Sequence, residues 1–162
     1  MSSISKRVTR EWKNIKKDMN SLAEEGIFFE QVGDKSNDIK VLLDGAKGTP
    51  YEGGRFELKM FLTKEYPMEP PIVFFHTRIY HPNVDKSGKI CLDILKDKWT
   101  PAINIIKVIF SIVALMSEPN VDDPYNNEAA DLWKKDKKEA YQKVKEYVDK
   151  FAKPSVVKST SV

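Results

Sequence analysis

The sequence predicts an α+β domain, because one helical pattern precedes a run of strand-like segments and further helical patterns follow them. Apolar residues at spacings of three and four from Ile4 to Leu22 predict the first helix, which should end before Gly26. Helices that are segregated from the strands favour α+β over an alternating α/β fold. We therefore expect an N-terminal helix, a sheet, a central buried helix and two C-terminal helices.

Four segments predict an antiparallel meander sheet. The first three strand-like runs are Ile27 to Val32, Ile39 to Leu43 and Arg55 to Leu62, and turn-forming residues separate them. Spacers this short favour antiparallel neighbours. A proline-rich segment with a candidate cis bond at Tyr66-Pro67 follows, and Ile72 to Phe75 is the fourth predicted strand.

The segment from Thr77 to Thr100 has no clear periodicity. A loop of this length in a compact domain is usually functional or disordered. Its many apolar side chains argue against disorder, so we expect it to pack on the core. It contains the only cysteine of the chain, Cys91, and one of the two histidines, His81.

Three helical patterns close the sequence. Asn104 is the predicted N-cap of a helix that runs to about Ser117, and apolar residues around nearly its whole circumference predict a central buried helix. Asn126 to about Trp133 and Lys138 to Phe151 are the two further predicted helices. We expect one domain over residues 1–153 and a short flexible tail at residues 154–162.

Composition excludes several classes of protein. A single cysteine excludes an internal disulfide and favours a reducing compartment, so we expect a cytoplasmic or nuclear location, or both. A net charge of +3 argues against a nucleic-acid partner. The longest apolar run, Ile103 to Met116, is too short for a bilayer, and no secretory signal is visible, so no membrane partner is expected. One cysteine and two histidines give no zinc signature, so no metal site is predicted.

The residues alone support two interpretations of Cys91. An unpaired cysteine is often an inert core thiol. However, its loop combines an apolar side with a charged side, which can present a thiol to solvent. A hydrolytic cysteine needs an adjacent base, and His81 lies ten residues upstream. A thioester carrier needs only a mild thiol and no base that would activate water, so the missing base is compatible with a carrier.

Three polar residues are candidate partners of Cys91. The amide of Asn83 can donate to a developing oxyanion, or it can simply stabilise the turn after Pro82. Asp122 and Asp123 can orient an incoming amine, or they can form an ordinary Asp-Pro loop before a helix. The residues alone leave both choices open.

The segment HPNVDKSGKICLDILKDKW, followed by TPA, resembles the active-site segment of ubiquitin-conjugating enzymes. The shared pattern is an HPN tripeptide, seven further residues, and the catalytic cysteine within ICLDIL. The segments GTPYEGGRFELKMFL, EYPMEPPIVFF and EPNVDDPYNNEAA resemble other parts of the same catalytic domain, and order and spacing agree from about Ser5 to Phe151. The resemblance implies the UBC-like fold, a four-stranded antiparallel sheet with four helices.

The resemblance also implies roles for individual residues. Cys91 would accept ubiquitin as a thioester from a ubiquitin-activating enzyme and pass it to lysine amines with a ubiquitin ligase of RING or HECT type. Asn83 matches the asparagine credited with oxyanion stabilisation or site ordering, and Asp123 matches the acidic residue thought to position the lysine. No bound cofactor is implied, since the activating enzyme uses the ATP. Supporting positions implied by the family are Tyr80, His81, Leu92, Asn120 and Asp122.

Two partner surfaces follow from the same resemblance. An apolar knob beside a basic patch would give a ligase both an anchor and electrostatic steering, although a basic helix face can also be simply solvated. The branch of the family that builds chains with an inactive conjugating-enzyme variant is the most similar one, although Phe74 stands where that branch often has arginine. The implied contacts with ligase and activating enzyme are Lys6, Arg7, Arg10, Met68, Thr100, Pro101 and Ala102.

Two alternatives remain at this point. A carrier for another ubiquitin-like modifier would use the same chemistry, but SUMO carriers have an insertion between ICL and the tryptophan that this sequence lacks. An inactive scaffold of the same fold would lack the cysteine, so Cys91 argues against it.

Overall fold

The computed structural model describes residues 5–157 and contains one four-stranded antiparallel sheet. The strands are β1 (Ile27–Val32), β2 (Lys35–Asp44), β3 (Arg55–Phe61) and β4 (Ile72–Phe75), in the spatial order β1-β2-β3-β4. The predicted meander is therefore confirmed. β2 begins before its predicted start at Ile39, because polar residues after the tight β1–β2 turn continue the hairpin with an irregular register at Gln31/Val32.

The N-terminal helix is divided in two, which the apolar stripe did not predict. α1 (Lys6–Lys17) begins at Ser5, whose side chain accepts a hydrogen bond from the Val8 N–H, and α2 (Met19–Glu24) follows a break at Asp18. The break gives the described residues five α-helices where the family resemblance implied four. The predicted start at Ile4 lies outside the described residues.

The core lies between the inner face of the sheet and α3 (Ile105–Ser117). Alternate residues of β2 and β3 and one stripe of α3 are almost completely buried, which provides the main hydrophobic stabilisation of the domain. Asn104 caps α3 as predicted, since its side chain accepts from the Lys107 N–H. The prediction that α3 is buried around nearly its whole circumference is wrong on one side, where Phe110 is 40% exposed.

The last two helices each pack one face on the core. α4 (Asn127–Lys135) is capped by Asn126 and α5 (Lys137–Phe151) by Asp136. The Arg55 N–H donates to the Ala152 carbonyl at 2.8 Å, which ties the end of α5 to the start of β3. Residues 154–157 form a turn in which Val157 is buried, and residues 158–162 lie outside the described part of the chain, so the flexible tail stays a prediction.

The long segment between β4 and α3 packs on the core as predicted. It contains one short 3-10 turn, Asp93–Leu95. Gly88 is required here, because its φ is +91° and a Cβ would lie 2.0 Å from the Phe75 carbonyl oxygen. The Tyr66-Pro67 peptide bond is cis, as predicted. Between residues 5 and 157, the helices are all too short or too polar to cross a bilayer.

Candidate active site

A short hairpin-like loop brings Asn83 and Cys91, which are separated in the sequence, into direct contact. Val84 and Ile90 form an isolated antiparallel bridge, and the Cys91 N–H donates to the Asn83 carbonyl at 2.8 Å. The turn between them is fixed by Asp85, whose side chain accepts from backbone N–H groups at its tip. The seven-residue spacing recognised in the sequence is therefore the length of this loop.

His81 is a scaffold residue in this structure. It is completely buried, its Nε2 lies 2.8 Å from the Leu115 carbonyl of α3, and its Nδ1 accepts the Asn83 N–H at 2.9 Å. The tautomer with the proton on Nε2 satisfies both contacts. Burial lowers the pKa of His81 to about 4, and the hydrogen bond to Leu115 opposes this only in part. A neutral imidazole with both nitrogens occupied has no free site from which to act as a base for Cys91.

The side-chain amide of Asn83 holds the backbone of residues 120–123, which lies on the other side of the site. It is completely buried, and its Oδ1 accepts from the Asn120 N–H at 2.8 Å. Its Nδ2 donates to the carbonyls of Asn120 at 2.8 Å and Asp123 at 3.1 Å. Both amide protons are thus used, so donation to an oxyanion requires one of these bonds to open. The Pro82 carbonyl accepts from the Tyr125 N–H and so holds the end of the same segment.

Cys91 lies at the side of an open cavity of about 530 Å³. The residue is only 6% exposed, yet its sulfur faces charged groups on both sides. Sγ lies 3.6 Å from Asp123 Oδ2 and 3.3 Å from Lys96 Nζ. Between residues 5 and 157, no three histidine, cysteine or acidic side chains are grouped closely enough to hold a metal ion. The cavity is also lined by Leu92, Asp93, Asp97, Lys98, Leu115 and Asn120.

Sequence and structure comparisons agree on one family. The family described as "Ubiquitin-conjugating enzyme" matches residues 7–148. The chain belongs to the ubiquitin-conjugating enzyme family. It is a ubiquitin transferase, and it carries ubiquitin as a thioester and works with ubiquitin ligases.

The chain is similar to relatives along almost its whole length. It is 44% identical to ubiquitin-conjugating enzyme E2 N of Macaca fascicularis, with 94% of this chain and 97% of the relative covered. It is 41% identical to ubiquitin-conjugating enzyme E2 13 of Saccharomyces cerevisiae, with the same coverage of 94% and 97%. These names agree with the predicted branch of the family.

A solved structure supports the fold. The E2 domain of a Toxoplasma gondii ubiquitin-conjugating enzyme superposes with a TM-score of 0.81 at 34% identity, and covers 91% of this chain and 98% of its own. The UBC-like fold predicted from the sequence is therefore confirmed.

Besides the buried His81, two of the supporting residues predicted for this conjugating enzyme do not line the Cys91 cavity. Tyr80 lies on the other side of the loop, where its ring stacks on Trp133 of α4 and its hydroxyl lies 3.4 Å from Glu128 Oε1. Burial, with a smaller contribution from Glu128, raises the pKa of Tyr80 to about 12. Asp122 points to solvent and pairs with Lys134 at 3.6 Å. Both residues therefore support the loops that carry the site rather than the sulfur itself.

The predicted ligase surface is mostly exposed. Met68 at the tip of the proline-rich segment is 72% exposed, which fits an apolar anchor. Its neighbour Pro67 has its carbonyl fixed by the Trp99 indole N–H at 3.0 Å. The other predicted contacts that are exposed are Lys6, Arg10, Thr100, Pro101 and Ala102.

Arg7 is the exception, because its guanidinium is used inside the molecule. It donates to the carbonyls of Pro101 at 2.6 Å and Ile103 at 2.9 Å, and to the Glu11 carboxylate at 2.9 Å. The guanidinium also lies 5.7 Å from the centre of the Tyr66 ring. Arg7 therefore holds the segment with Pro101 and Ile103 against α1, whereas Lys6 and Arg10 are exposed.

Glu11 is a central residue that the sequence reading did not single out. Its carboxylate is buried and accepts from the Tyr66 hydroxyl, the Arg7 guanidinium and, at 2.6 Å, the Ile105 N–H at the start of α3. One signal was available: Glu11 stands between Val8 and Ile15 on the apolar stripe, where a charged residue needs a partner. Lys96 and Tyr125 were also not singled out, and no regular spacing connects either of them to Cys91.

Proposed function

We propose that Cys91 is the residue on which this enzyme carries ubiquitin. The observation that carries the proposal is that Cys91 is the only cysteine in the sequence. A protein thioester requires a cysteine thiolate as nucleophile, and its sulfur here borders an open cavity.

The loading step is a thiol exchange. The Cys91 sulfur loses its proton and attacks the carbonyl carbon at the ubiquitin C-terminus, which is bonded to a sulfur of the activating enzyme. A new sulfur–carbon bond forms, the old one breaks, and the departing sulfur takes up a proton. ATP is consumed by the activating enzyme in an earlier step, and no cofactor is assigned to this chain.

In the transfer step, a lysine amine attacks the same carbonyl carbon, the sulfur–carbon bond breaks, and the departing Cys91 sulfur takes up the proton that the amine loses. Asp123 is suited to positioning the lysine, because its carboxylate is exposed and 3.6 Å from the sulfur. Asn83 is assigned to ordering, since its amide holds the backbone of Asn120 and Asp123. Removal of one of these bonds would free a donor for the oxyanion.

The proposal extends to partners and location. Ligases of RING or HECT type would dock on the exposed surface around Met68, and nucleic acid and membranes are not expected as partners. An inactive conjugating-enzyme variant is proposed as a second partner, because the sequence resembles the branch of the family that works with one. A single unpaired cysteine supports a cytoplasmic or nuclear location.

A charging assay tests the proposal. Incubation with activating enzyme, ATP and ubiquitin should give an adduct that reducing agent removes, and Cys91→Ser should give a reductant-resistant oxyester or no adduct. A reducible adduct on Cys91→Ser would exclude Cys91 as the carrier. Parallel reactions with other ubiquitin-like modifiers should give no adduct, and repetition with a variant partner and single-lysine ubiquitins tests the chain-building proposal.

A further inference from the structure

The backbone that follows Cys91 places Lys96 beside the Cys91 sulfur. The 3-10 turn Asp93–Leu95 reverses the chain after Cys91, and the Lys96 N–H donates to the Asp93 carbonyl at 3.0 Å. This turn brings the ammonium of Lys96 to 3.3 Å from Cys91 Sγ, although the two residues lie five positions apart.

Tyr125, which follows Asp123 closely in the sequence, also holds that ammonium. Its hydroxyl accepts from Lys96 Nζ at 3.3 Å, and the same Nζ lies 5.0 Å from the centre of its ring, within the range of a cation–π contact. The Tyr125 backbone is itself fixed by the Pro82 carbonyl. The hydrogen bonds to Tyr125 and then to Cys91 raise the pKa of Lys96, so the side chain keeps its charge at neutral pH.

The charged groups around the sulfur have opposite effects on its two protonation states. The neutral thiol can donate to Asp123 Oδ2 at 3.6 Å, whereas the thiolate is repelled by that carboxylate and attracted by the Lys96 ammonium. Asp93, Asp97 and Lys98 border the same cavity, and Lys89 lies against the Tyr125 ring. Lys96 is the cation with a direct contact to the sulfur among residues 5–157.

We propose that Lys96 is a positioning residue that stabilises the thiolate of Cys91, and that Tyr125 holds Lys96 in place. The inference rests on the proposed role of Cys91 as ubiquitin carrier, and it adds a residue that favours the nucleophilic state. Once ubiquitin is loaded, the sulfur is an uncharged thioester and no longer attracts the ammonium. Asp123 then faces the incoming lysine without competition from a thiolate.

Alkylation of the thiol tests the proposal without ubiquitin. Because the chain has one cysteine, the rate of modification by iodoacetamide reports on Cys91 alone. We expect Lys96→Gln to slow alkylation near neutral pH by about three- to tenfold and to move the rate profile to higher pH. Lys96→Arg keeps the charge and should stay close to the original profile. Tyr125→Phe, which retains the ring but loses the hydroxyl, should fall between the two.

Lys98→Gln is the matched control, because Lys98 borders the same cavity and its loss changes the net charge equally. Its profile should coincide with that of the unmodified protein. Coincident profiles for Lys96→Gln and the unmodified protein, or an equal shift in Lys98→Gln, would overturn the proposal. All variants are first compared by circular dichroism.

Single-turnover charging by the activating enzyme separates this proposal from the proposed function. Lys96→Gln should charge more slowly near neutral pH and recover at higher pH, whereas loss of a docking contact would slow charging at every pH. If the unmodified protein failed to charge at all, the proposed function would fail, and the alkylation profiles would still decide the role of Lys96.

Discussion

At the scale of single residues, two kinds of polar side chain surround Cys91. One kind is buried and holds the loops, and the other is exposed and contacts the sulfur. His81 and Asn83 are completely buried and every hydrogen-bonding group of their side chains is used. Asp123 and Lys96, by contrast, are exposed side chains that reach the sulfur of Cys91. The buried pair therefore sets the positions of the loops, and the exposed pair sets the charge around the Cys91 sulfur.

Asn83→Ala tests this separation. The variant loses three hydrogen bonds to the backbone of Asn120 and Asp123, so we expect the free energy of unfolding to fall by about 1–3 kcal/mol. Transfer of ubiquitin to lysine should slow more than loading of Cys91, because Asp123 loses its fixed position. Urea unfolding and single-turnover transfer measure the two effects.

Asn14→Ala on the exposed side of α1 is the control for that experiment, and it should change neither quantity. An Asn83→Ala protein with normal stability and normal transfer would show that the amide has no ordering role.

The sequence assigned some of these residues to the candidate site but not others. Asn83 and Cys91 could be assigned because their family has a fixed loop length between them, and that length is local information. Lys96 could not be assigned, because a separation of five residues matches neither the helix nor the strand period. Its approach to Cys91 depends on a 3-10 turn and on Tyr125, which is distant in sequence.

At the scale of elements, one buried carboxylate joins the three segments that form the predicted ligase surface. Glu11 of α1 contacts Tyr66 in the proline-rich segment and Ile105 at the start of α3. Arg7 completes the cluster by holding the Pro101 carbonyl. Burial and the contact with Glu11 both raise the pKa of Tyr66, so its hydroxyl remains a donor. The surface is thus built on an internal ion pair.

Glu11→Ala should destabilise this arrangement. It removes the acceptor of Arg7 Nε, of the Tyr66 hydroxyl and of the Ile105 N–H, so we expect a loss of about 3 kcal/mol in the free energy of unfolding. The Ile105 amide should also exchange with solvent faster. Chemical denaturation and hydrogen exchange provide the measurements.

The exposed Glu24 of α2 offers a matched substitution, and Glu24→Ala should stay within about 0.5 kcal/mol of the unmodified protein. Equal stability of the two variants would contradict the assignment of Glu11 as the joining residue.

Periodicity explains why the elements were predicted and the cluster was not. The apolar stripe identified the buried face of α1, but it continued through Asp18 and so concealed the break before α2. The same periodicity predicted that Arg7 lies on a basic face. Helix spacing shows which residues share a face, but it does not show which groups from other segments contact them. Strand ends differed for a similar reason, since polar residues of β2 extend a hairpin that is stabilised by backbone pairing.

At the scale of the whole molecule, the loop that contains His81 and Cys91 is part of the core. His81 connects the loop to α3 through Leu115, and its ring lies among the rings of Tyr51 and Trp133. The Tyr51 hydroxyl donates to the Tyr80 carbonyl at 2.6 Å, which fixes the loop from the other side. Acid conditions that disturb His81 therefore act on global stability as well as on the site.

The pH dependence of stability follows from the lowered pKa of His81. The folded value is about 4 and the unfolded value about 6.5, so the unfolded chain binds more protons between these limits. Stability from neutral His81 is present above about pH 6.5 and is lost as the pH falls toward 4, by about 3 kcal/mol in total. Urea unfolding across this range measures the slope.

His81→Gln should flatten the slope in that window, even though the variant is less stable overall. His76→Gln provides the control, because His76 is exposed and the slope should persist while His81 is intact. A slope that is unchanged in His81→Gln would remove His81 as its source.

The indole of Trp99 gives the predicted ligase surface an optical signal. Its N–H is held by the Pro67 carbonyl, and its ring lies 6.0 Å from that of Tyr66, directly beside the segment that presents Met68. Trp12 and Trp133 are buried away from solvent, so quenchers in solution reach the partly exposed Trp99 first. Quenching of the Trp99 contribution to the emission therefore allows a docking event to be followed in the unlabelled enzyme.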